Sequence, residues 1–402
     1  SGTDHALRTV AGTGKAGEFG DGGPAILAQL SAPTAVAVRP NGDVVIADTG
    51  NNLVRVLEGS IATTPGHNIH IEAGNGTASF AGNGKKPGQA QFSGPATVVS
   101  KIAPADTLNA AVPAVIGQRY VVDTFNHVVR TFATDSDVST LAGVGGTRGQ
   151  GMSSLAYPMG EALDASRNVL YVADTFNNVV RAIDLTRQTM TTVAGTGTPR
   201  YASTDEGKLA TQAPLSYPTG LAVDAAGNLF IADTYNSRVR EVVGGRIYTV
   251  AGTGRLGFSG DNGDARLADL YFPYGVALDD AASPNLYITD SFNHRIRRVT
   301  AVSTNSKAPN LIQTVAGDGA PGFGDGAGTQ AHFNRPWSAT VDQGSIYVAD
   351  YLNHRIRRVD VIGQAVTTLG GVGTTGLKGD AGPADAAEVD APRGLSLSLI
   401  HI

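Results

Sequence analysis

The chain has 402 residues, of which 41% are hydrophobic, and its formal net charge at pH 7 is −5. It contains no cysteine, which excludes disulfides, thiol catalysis and cysteine-ligated zinc and leaves the redox compartment open. The mild negative charge argues against a nucleic-acid partner held by overall electrostatics. No apolar run reaches the roughly 18 residues that predict a membrane-spanning helix.

A short motif returns six times along the chain. It consists of an aspartate, then threonine, serine or tyrosine, then any residue, and then an asparagine. Each copy has an arginine seven residues after its aspartate. The aspartates are Asp48, Asp123, Asp174, Asp233, Asp290 and Asp350. The arginines are Arg55, Arg130, Arg181, Arg240, Arg297 and Arg357. The aspartates lie 75, 51, 59, 57 and 60 residues apart, so each copy marks one supersecondary unit of a repeat protein.

We interpret each copy of the motif as a β-hairpin with a two-residue loop, formed in the first copy by Asn51 and Asn52. Asparagine and histidine at these loop positions suit the positive φ of a type I′ turn. This register places Asp48 directly opposite Arg55. It predicts a cross-strand ion pair that contributes roughly 0.2–1 kcal/mol.

Each repeat contains four predicted strands. A proline opens an alternating run, as at residues 33–38 (strand a); the motif lies on strand b, its arginine lies on strand c, and a Thr-Val-Ala-Gly run, as at residues 249–252, forms strand d. Four short period-two strands are typical of one propeller blade. The predicted fold is all-β: a six-bladed β-propeller of four-stranded antiparallel blades, in a single domain over residues 1–402.

Strands a and d each occur seven times, whereas strands b and c occur six times. We expect six blades with an overlapping end, because a blade completed by both chain ends pairs edges that would otherwise stay open. The alternative is a seventh, truncated blade made from residues 395–402 and the N-terminal strand.

The repeats resemble a known family, the NHL repeat β-propellers. Residues 20–30 read Gly-Asp-Gly-Gly-Pro-Ala and end in Ala-Gln-Leu; a Pro-x-x-hydrophobic-Ala-Val run and Ile-Ala-Asp-Thr-x-Asn-Asn follow. This order is similar to the long-loop NHL repeats of secreted and surface proteins. The resemblance implies an extracellular or cell-surface location, with the cytoplasm as the alternative. It does not imply one activity, because propellers include lyases, lactonases and binders of protein, glycan or RNA.

Long loops join strand d to the next strand a, and several contain Gly-Asp followed by small residues, as at residues 20–25 and 260–265. We expect the loop aspartate to cap a single helical turn. Each loop offers one or two carboxylates, fewer than a tight calcium site uses. We therefore expect neither a metal nor another cofactor.

The two residues that flank each strand-a proline are expected at the mouth of the central channel, on the same face as the long loops. Large or charged side chains at these positions can bind a ligand. The candidate binding residues are Trp337, Tyr274, Met159, Arg393, Tyr217 and Tyr157. His127, His294 and His354 are interpreted as turn residues rather than as metal ligands. We identify no set of catalytic residues.

The function predicted from these features is non-enzymatic recognition of a protein, peptide or glycan by a monomer, through the face that carries the long loops. A propeller lyase or hydrolase with its active site at the channel mouth is the alternative, and RNA binding is the third possibility. An Ala- and Pro-rich insertion at residues 100–118 is predicted on the opposite face.

Overall fold

The structure is a computed structural model. It describes residues 11–395 except 14, 40–42, 59–67, 101–117, 134–135, 150, 152, 202–204, 282, 301, 303–309, 343 and 375–387. Contacts divide the chain into two compact units, whose main parts are Thr9–Met159 and Gly160–Leu395. The single domain over residues 1–402 stays a prediction.

Six four-stranded antiparallel blades make up the fold, with two in the first unit and four in the second. Blade 1 contains β1 (Ala35–Val38), β2 (Val44–Asp48), β3 (Leu53–Leu57) and β4 (Ile69–Ala73). Blade 2 contains β5 (Pro95–Ser100), β6 (Arg119–Asp123), β7 (Val128–Phe132) and β8 (Ser139–Gly143). Blade 3 contains β9 (Glu161–Asp164), β10 (Val169–Asp174), β11 (Val179–Asp184) and β12 (Thr189–Ala194). Blade 4 contains β13 (Pro218–Val223), β14 (Leu229–Asp233), β15 (Arg238–Val243) and β16 (Arg246–Ala251).

The last two blades each gain a two-residue strand from the preceding loop. Blade 5 contains β17 (Gly263–Asp264), β18 (Pro273–Leu278), β19 (Leu286–Asp290), β20 (Arg295–Val299) and β21 (Leu311–Ala316). Blade 6 contains β22 (Gly326–Ala327), β23 (Pro336–Asp342), β24 (Ser345–Asp350), β25 (Arg355–Asp360) and β26 (Ala365–Gly370). These six blades confirm the predicted six-bladed β-propeller class. The closing strand predicted at residues 7–12 lies largely outside the described residues, as does the insertion at 100–118. Of the closing strand predicted at 392–398, residues 392–395 are described and form no strand.

Helical structure in the described residues is limited to single 3-10 turns. Those in the hairpins are Thr49–Asn51, Thr124–Asn126, Thr175–Asn177, Thr234–Asn236, Ser291–Asn293 and Tyr351–Asn353. Those in the long loops are Ala25–Leu27, Pro87–Gln89, Ala210–Gln212, Ala265–Leu267 and Gly328–Gln330. No helix among the described residues is both long and apolar enough to cross a membrane.

The hairpin register differs from the prediction. Asp48 pairs with Leu53 rather than with Arg55, because the loop has four residues: a 3-10 turn followed by Asn52 in the left-handed conformation, with φ 58°. The first asparagine of the predicted loop, Asn51, donates from Nδ2 to the Asp48 carboxylate at 2.8 Å and so closes the wider turn. Arg55 lies two positions beyond Leu53, on the same face of the sheet as Asp48.

The long loops before blades 1, 2, 4, 5 and 6 pair with strand d of the blade that they precede, or with a residue next to it. In blade 5, Gly263 and Asp264 pair with Ile312 and Leu311 of β21. In blade 1, a single bridge joins Pro24 to Asn68, next to β4. The loops therefore cover the outer edge strands, whose unpaired backbone groups are prone to pair with other chains.

The hydrophobic core lies between neighbouring sheets within each unit. Phe230 and Val239 of blade 4 pack with Leu286, Ile288 and Val299 of blade 5, and all five are buried. In the other unit, a corresponding cluster joins blades 1 and 2. Successive side chains of a strand point to opposite faces of the sheet, so each strand presents one apolar face to each neighbouring sheet. Valine is common in these strands because its branched side chain packs well on such a surface.

Candidate functional site

The repeated aspartate, asparagine and arginine form one buried cluster per blade. In blade 5, Asp290 accepts hydrogen bonds from Asn293 Nδ2 at 2.8 Å and from the Tyr271 backbone N–H at 2.8 Å. Arg297 Nη1 lies 3.3 Å from the same carboxylate, and both ionic side chains are fully buried. Burial raises the pKa of Asp290 to about 6, although Arg297, Asn293 and Tyr271 act in the opposite direction.

The predicted Asp–Arg pairs are present in all six blades. Their N–O distances in chain order are 3.8, 3.6, 2.9, 3.9, 3.3 and 2.9 Å. The sequence pattern predicts them as directly opposed cross-strand pairs that contribute roughly 0.2–1 kcal/mol, whereas every one of these aspartates is fully buried. The motif is therefore a structural cluster that fastens each hairpin to the loop before strand a.

Three loop aspartates that were expected to cap helical turns bind the same arginines. Asp261 lies 2.8 Å from Arg297 and Asp325 lies 2.7 Å from Arg357. Asp21 lies 3.6 Å from Arg55, and the turn that follows it has no side-chain cap. The capping prediction is wrong for these three residues, because a buried guanidinium with several donors takes a second carboxylate from the loop. It is confirmed in the loop at 260–265 by a different aspartate, since the Asp264 side chain caps the turn Ala265–Leu267 by accepting a hydrogen bond from the Arg266 N–H.

The residue after the motif aspartate connects neighbouring blades. The hydroxyl groups of Thr175, Thr234 and Ser291 donate to the carbonyl oxygens of the next strand-a prolines, at 2.9, 2.8 and 2.6 Å. In blade 6 this position is Tyr351. Its hydroxyl instead accepts a hydrogen bond from Arg393 Nη2 at 3.1 Å.

The last residue of the hairpin turn hydrogen-bonds to the residue that precedes the strand-a proline of the next blade. His294 Nδ1 accepts a hydrogen bond from the Arg335 backbone N–H at 3.1 Å, and Asn178 Oδ1 accepts one from the Tyr217 N–H at 2.9 Å. Tyr217 and Arg335 have φ values of 54° and 51°, a conformation that costs side-chain-bearing residues energy. His127, His294 and His354 all occupy this left-handed turn position, as predicted.

The neutral form of His294 is required for this bond, because a protonated Nδ1 cannot accept. Burial, followed by the charges of Arg335 and Arg295, lowers the pKa of His294 below its usual 6.5. A lowered histidine pKa makes the unfolded chain bind more protons, so this contribution to stability is complete above pH 6.5 and is lost as the pH falls through the folded pKa.

We expect His294→Asn to keep the hydrogen bond, as Asn178 does at the equivalent position, and to remove the titration. The variant should gain stability relative to the parent when the pH is lowered from 8 to 5. Denaturant unfolding of both proteins at the two pH values measures this difference. An equal loss in the parent and the variant would show that His294 does not titrate as the structure indicates.

A row of aromatic side chains, which we call the aromatic row, runs across blades 3, 4 and 5 within one unit. Its members are Phe176, Tyr217, Tyr235, Phe272 and Phe292, and successive ring centroids lie 5.1, 4.4, 5.1 and 5.2 Å apart. Along the row, residues of the hairpin turns alternate with residues that precede the strand-a prolines. Tyr217 and Tyr235 stack with an interplanar angle of 8°, and Tyr235 is 51% exposed.

A second group of rings, the Trp337 cluster, contains Tyr274, Trp337, Tyr351 and Arg393. The Tyr274 and Trp337 rings lie 4.6 Å apart, and Trp337 and Tyr351 lie 5.3 Å apart. The Arg393 guanidinium lies 5.0 Å from each of the Trp337 and Tyr351 rings. Burial, and then the nearby Tyr235, raises the pKa of Tyr274, so its hydroxyl is neutral at neutral pH.

The structure brings four of the six predicted binding residues into one unit. Tyr217 belongs to the aromatic row, and Tyr274, Trp337 and Arg393 belong to the Trp337 cluster. Tyr157 and Met159 lie in the unit Thr9–Met159. Tyr157 contacts Phe125 and His127 there, with centroid distances of 6.0 and 4.6 Å.

Sequence reasoning missed the hairpin aromatics. They occupy the motif position directly before the asparagine, which the motif leaves unspecified. The residues at this position are Gly50, Phe125, Phe176, Tyr235, Phe292 and Leu352. Large apolar residues at five of six turn tips are a visible signal, because turns normally favour small and polar residues. Arg335 was also missed; its guanidinium lies 4.3 Å from the Phe292 ring.

Among the described residues, no group of three or more His, Cys, Asp or Glu is arranged to hold a metal ion. The six predicted binding residues are aromatic, apolar or cationic, and none carries a carboxylate. The candidate site therefore offers surfaces for stacking and a positive charge.

Comparison with known proteins identifies the repeats. The NHL repeat family model matches residues 30–57, 215–241 and 333–359. NHL repeat-containing protein 2 of Bos taurus is 26% identical over 373 residues, which cover 82% of this chain and 47% of that protein. Protein SUPPRESSOR OF QUENCHING 1, chloroplastic, of Arabidopsis thaliana is 28% identical over 255 residues, which cover 60% and 23% of the two chains. The chain spans less than half the length of these relatives.

Solved structures share the fold at low sequence identity. An auxiliary nutrient binding protein from Bacteroides ovatus has a TM-score of 0.53 and 14% identity, covering 90% of this chain and 76% of that chain. A streptogramin B lyase has a TM-score of 0.51 and 9% identity, covering 91% and 87%. The chain therefore contains NHL repeats at the three matched stretches, within a fold of six four-stranded blades.

Proposed function

We propose that this chain is a non-enzymatic recognition propeller that binds an acidic peptide segment or an acidic glycan through the aromatic row and the Trp337 cluster. The observation that carries the proposal is the continuous contact between rings across three blades, of which Phe176 and Tyr235 are exposed and the other three are half-buried. Aromatic rings supply a large contact area at low cost in side-chain entropy. Soluble proteins rarely expose a contiguous apolar surface of this kind without a partner for it.

The preference for an acidic partner rests on two arginines. Arg335 and Arg393 are exposed, and each lies over an aromatic ring, Phe292 and Trp337 respectively. Within the described part of the chain, neither forms an ion pair with a carboxylate. Guanidinium groups bind carboxylates in a bidentate manner while stacking on rings, so an acidic group on the partner would complete both contacts.

Arrays of acidic, neutral and basic peptides, and of glycans with and without carboxylates, test this proposal. We expect Tyr235→Ala and Trp337→Ala each to weaken binding of the selected acidic ligand by more than about 1 kcal/mol, as central aromatic anchors do. Arg393→Gln should reduce the preference for acidic over neutral ligands.

Ile362→Ala is the matched control, because Ile362 is 87% exposed and lies in the turn between β25 and β26. It should bind as the parent does. Selection of neutral ligands by the parent, or cleavage of an arrayed ligand, would contradict the proposal; cleavage would favour the lyase or hydrolase alternative.

A further inference from the structure

Three blades share an outer arginine that the first blade lacks. Arg238, Arg295 and Arg355 each open strand c and lie over a loop aromatic residue, at 3.2, 3.7 and 3.5 Å from the rings of Tyr201, Phe258 and Phe323. Each guanidinium donates to two backbone carbonyl oxygens. In blade 5 the acceptors are Asn293, at 3.1 Å, and Asp318.

Blade 1 differs at both partners of this contact. Leu53 occupies the strand-c position of the arginine. Asn51 Nδ2 donates to the Gly17 carbonyl just as Asn293 Nδ2 donates to the Gly257 carbonyl, which aligns the two loops. The next residue is Phe258 in blade 5 and Glu18 in blade 1, so a carboxylate replaces the ring.

The carboxylate lies where the guanidinium lies in the other blades. A Cβ atom built on Gly319, just after strand d of blade 5, would collide with Nη1 of Arg295. The equivalent glycine of blade 1 is Gly76, where a Cβ atom would collide with Oε2 of Glu18. The charge at this place is therefore reversed, and the two carbonyl acceptors, Asn51 and Asn75, have no arginine of their own blade.

An open cavity of about 570 Å³ lies at this position, and Glu18, Phe19, Asp21, Gly74 and Asn75 contribute to its lining. Blade 2 also lacks the outer arginine, but there the Phe80 ring fills the space, since a Cβ atom on Gly145 would collide with it. Phe19 is 76% exposed beside the cavity. Asp21 is already engaged with Arg55, which leaves Glu18 as the available acid.

We propose that this cavity is a guanidinium-binding site that receives an arginine side chain of a partner protein. The incoming guanidinium enters from the cavity, pairs with the Glu18 carboxylate and donates to the Asn75 carbonyl oxygen, and both of these residues line the cavity. The Phe19 ring provides a cation–π surface. The site belongs to the unit Thr9–Met159, whereas the aromatic row belongs to the other unit, and the two have opposite charge preferences.

The test uses N-acetyl-arginine amide, its citrulline and lysine counterparts, and the peptide Gly-Arg-Gly, titrated into the isotope-labelled chain and followed by NMR. We expect saturable shifts of the Asn75 and Gly76 amide signals with both arginine compounds. Glu18→Gln should weaken this binding at least about tenfold, because it removes a charge-assisted hydrogen bond. Glu18 is exposed, so the variant should fold normally.

Two further variants sharpen the result. Glu58→Gln removes the same charge from another exposed glutamate of the unit, 68% exposed at its side chain, and should leave binding unchanged. Leu53→Arg should supply the guanidinium from within the chain and abolish binding. Equal binding of the citrulline or lysine compound, or unchanged binding by Glu18→Gln, would overturn the proposal. Binding of N-acetyl-arginine amide without binding of Gly-Arg-Gly would overturn the assignment to a protein partner.

Discussion

Replacing Asp290 with alanine is expected to destabilise the fold by about 3–5 kcal/mol, the usual consequence of leaving a buried charge without its partner. The substitution leaves Arg297 with one carboxylate, Asp261, which is itself partly exposed. It also removes the acceptor for the Asn293 amide and the Tyr271 N–H. Denaturant unfolding of the parent and the variant measures the loss.

Asp137→Ala is the control for this experiment. Asp137 pairs with Lys86 at 3.6 Å, with the two side chains 50% and 65% exposed, and such surface pairs contribute about 0–1 kcal/mol. A loss for Asp290→Ala no larger than that of the control would mean that the buried cluster does not fasten the hairpin.

Gly220→Ala is expected to cost about 1–3 kcal/mol by overpacking. Gly220 lies on β13, and a Cβ atom there would lie 2.6 Å from the Tyr274 carbonyl oxygen and 2.9 Å from the Gly275 Cα of β18. Because both neighbours are backbone atoms, one blade must shift away from the other. The change in thermal midpoint measures this cost.

Gly88→Ala is the comparison, since nothing lies within 4 Å of a Cβ atom built there. It should be neutral or slightly stabilising, because alanine restricts the unfolded chain more than glycine does. If both alanine variants unfold at the same temperature, the close approach of β13 and β18 is not a constraint.

Much of the fold is predictable because the same sequence pattern occurs in every repeat. The spacing of the motif, the strand-opening prolines and the Asp–Arg relation of seven residues all follow from local pattern. The hairpin register is not predictable in this way, since Asn51 suits both a tight turn and a bond to Asp48. The prediction for the loop aspartates is wrong for a related reason. A helix cap is a contact between residues close in sequence, whereas the partner of Asp261 is Arg297, 36 positions away.

The candidate site is predictable only in part. The prolines mark Tyr217, Tyr274 and Trp337, because the neighbours of these prolines can be compared between repeats. Tyr235 lies at a turn position that the motif leaves unspecified, so its place in the aromatic row depends on how successive blades pack. The contact of Arg393 with Tyr351 joins segments 42 residues apart, which local pattern does not reveal.

The most direct test of recognition through the aromatic surface is the equilibrium affinity of the Tyr235→Ala, Trp337→Ala double variant for the acidic ligand selected from the arrays. Two central anchors worth more than about 1 kcal/mol each predict a dissociation constant about thirtyfold higher than that of the parent, with an unchanged thermal midpoint. A double variant that remains folded and binds this ligand as tightly as the parent would contradict the proposal.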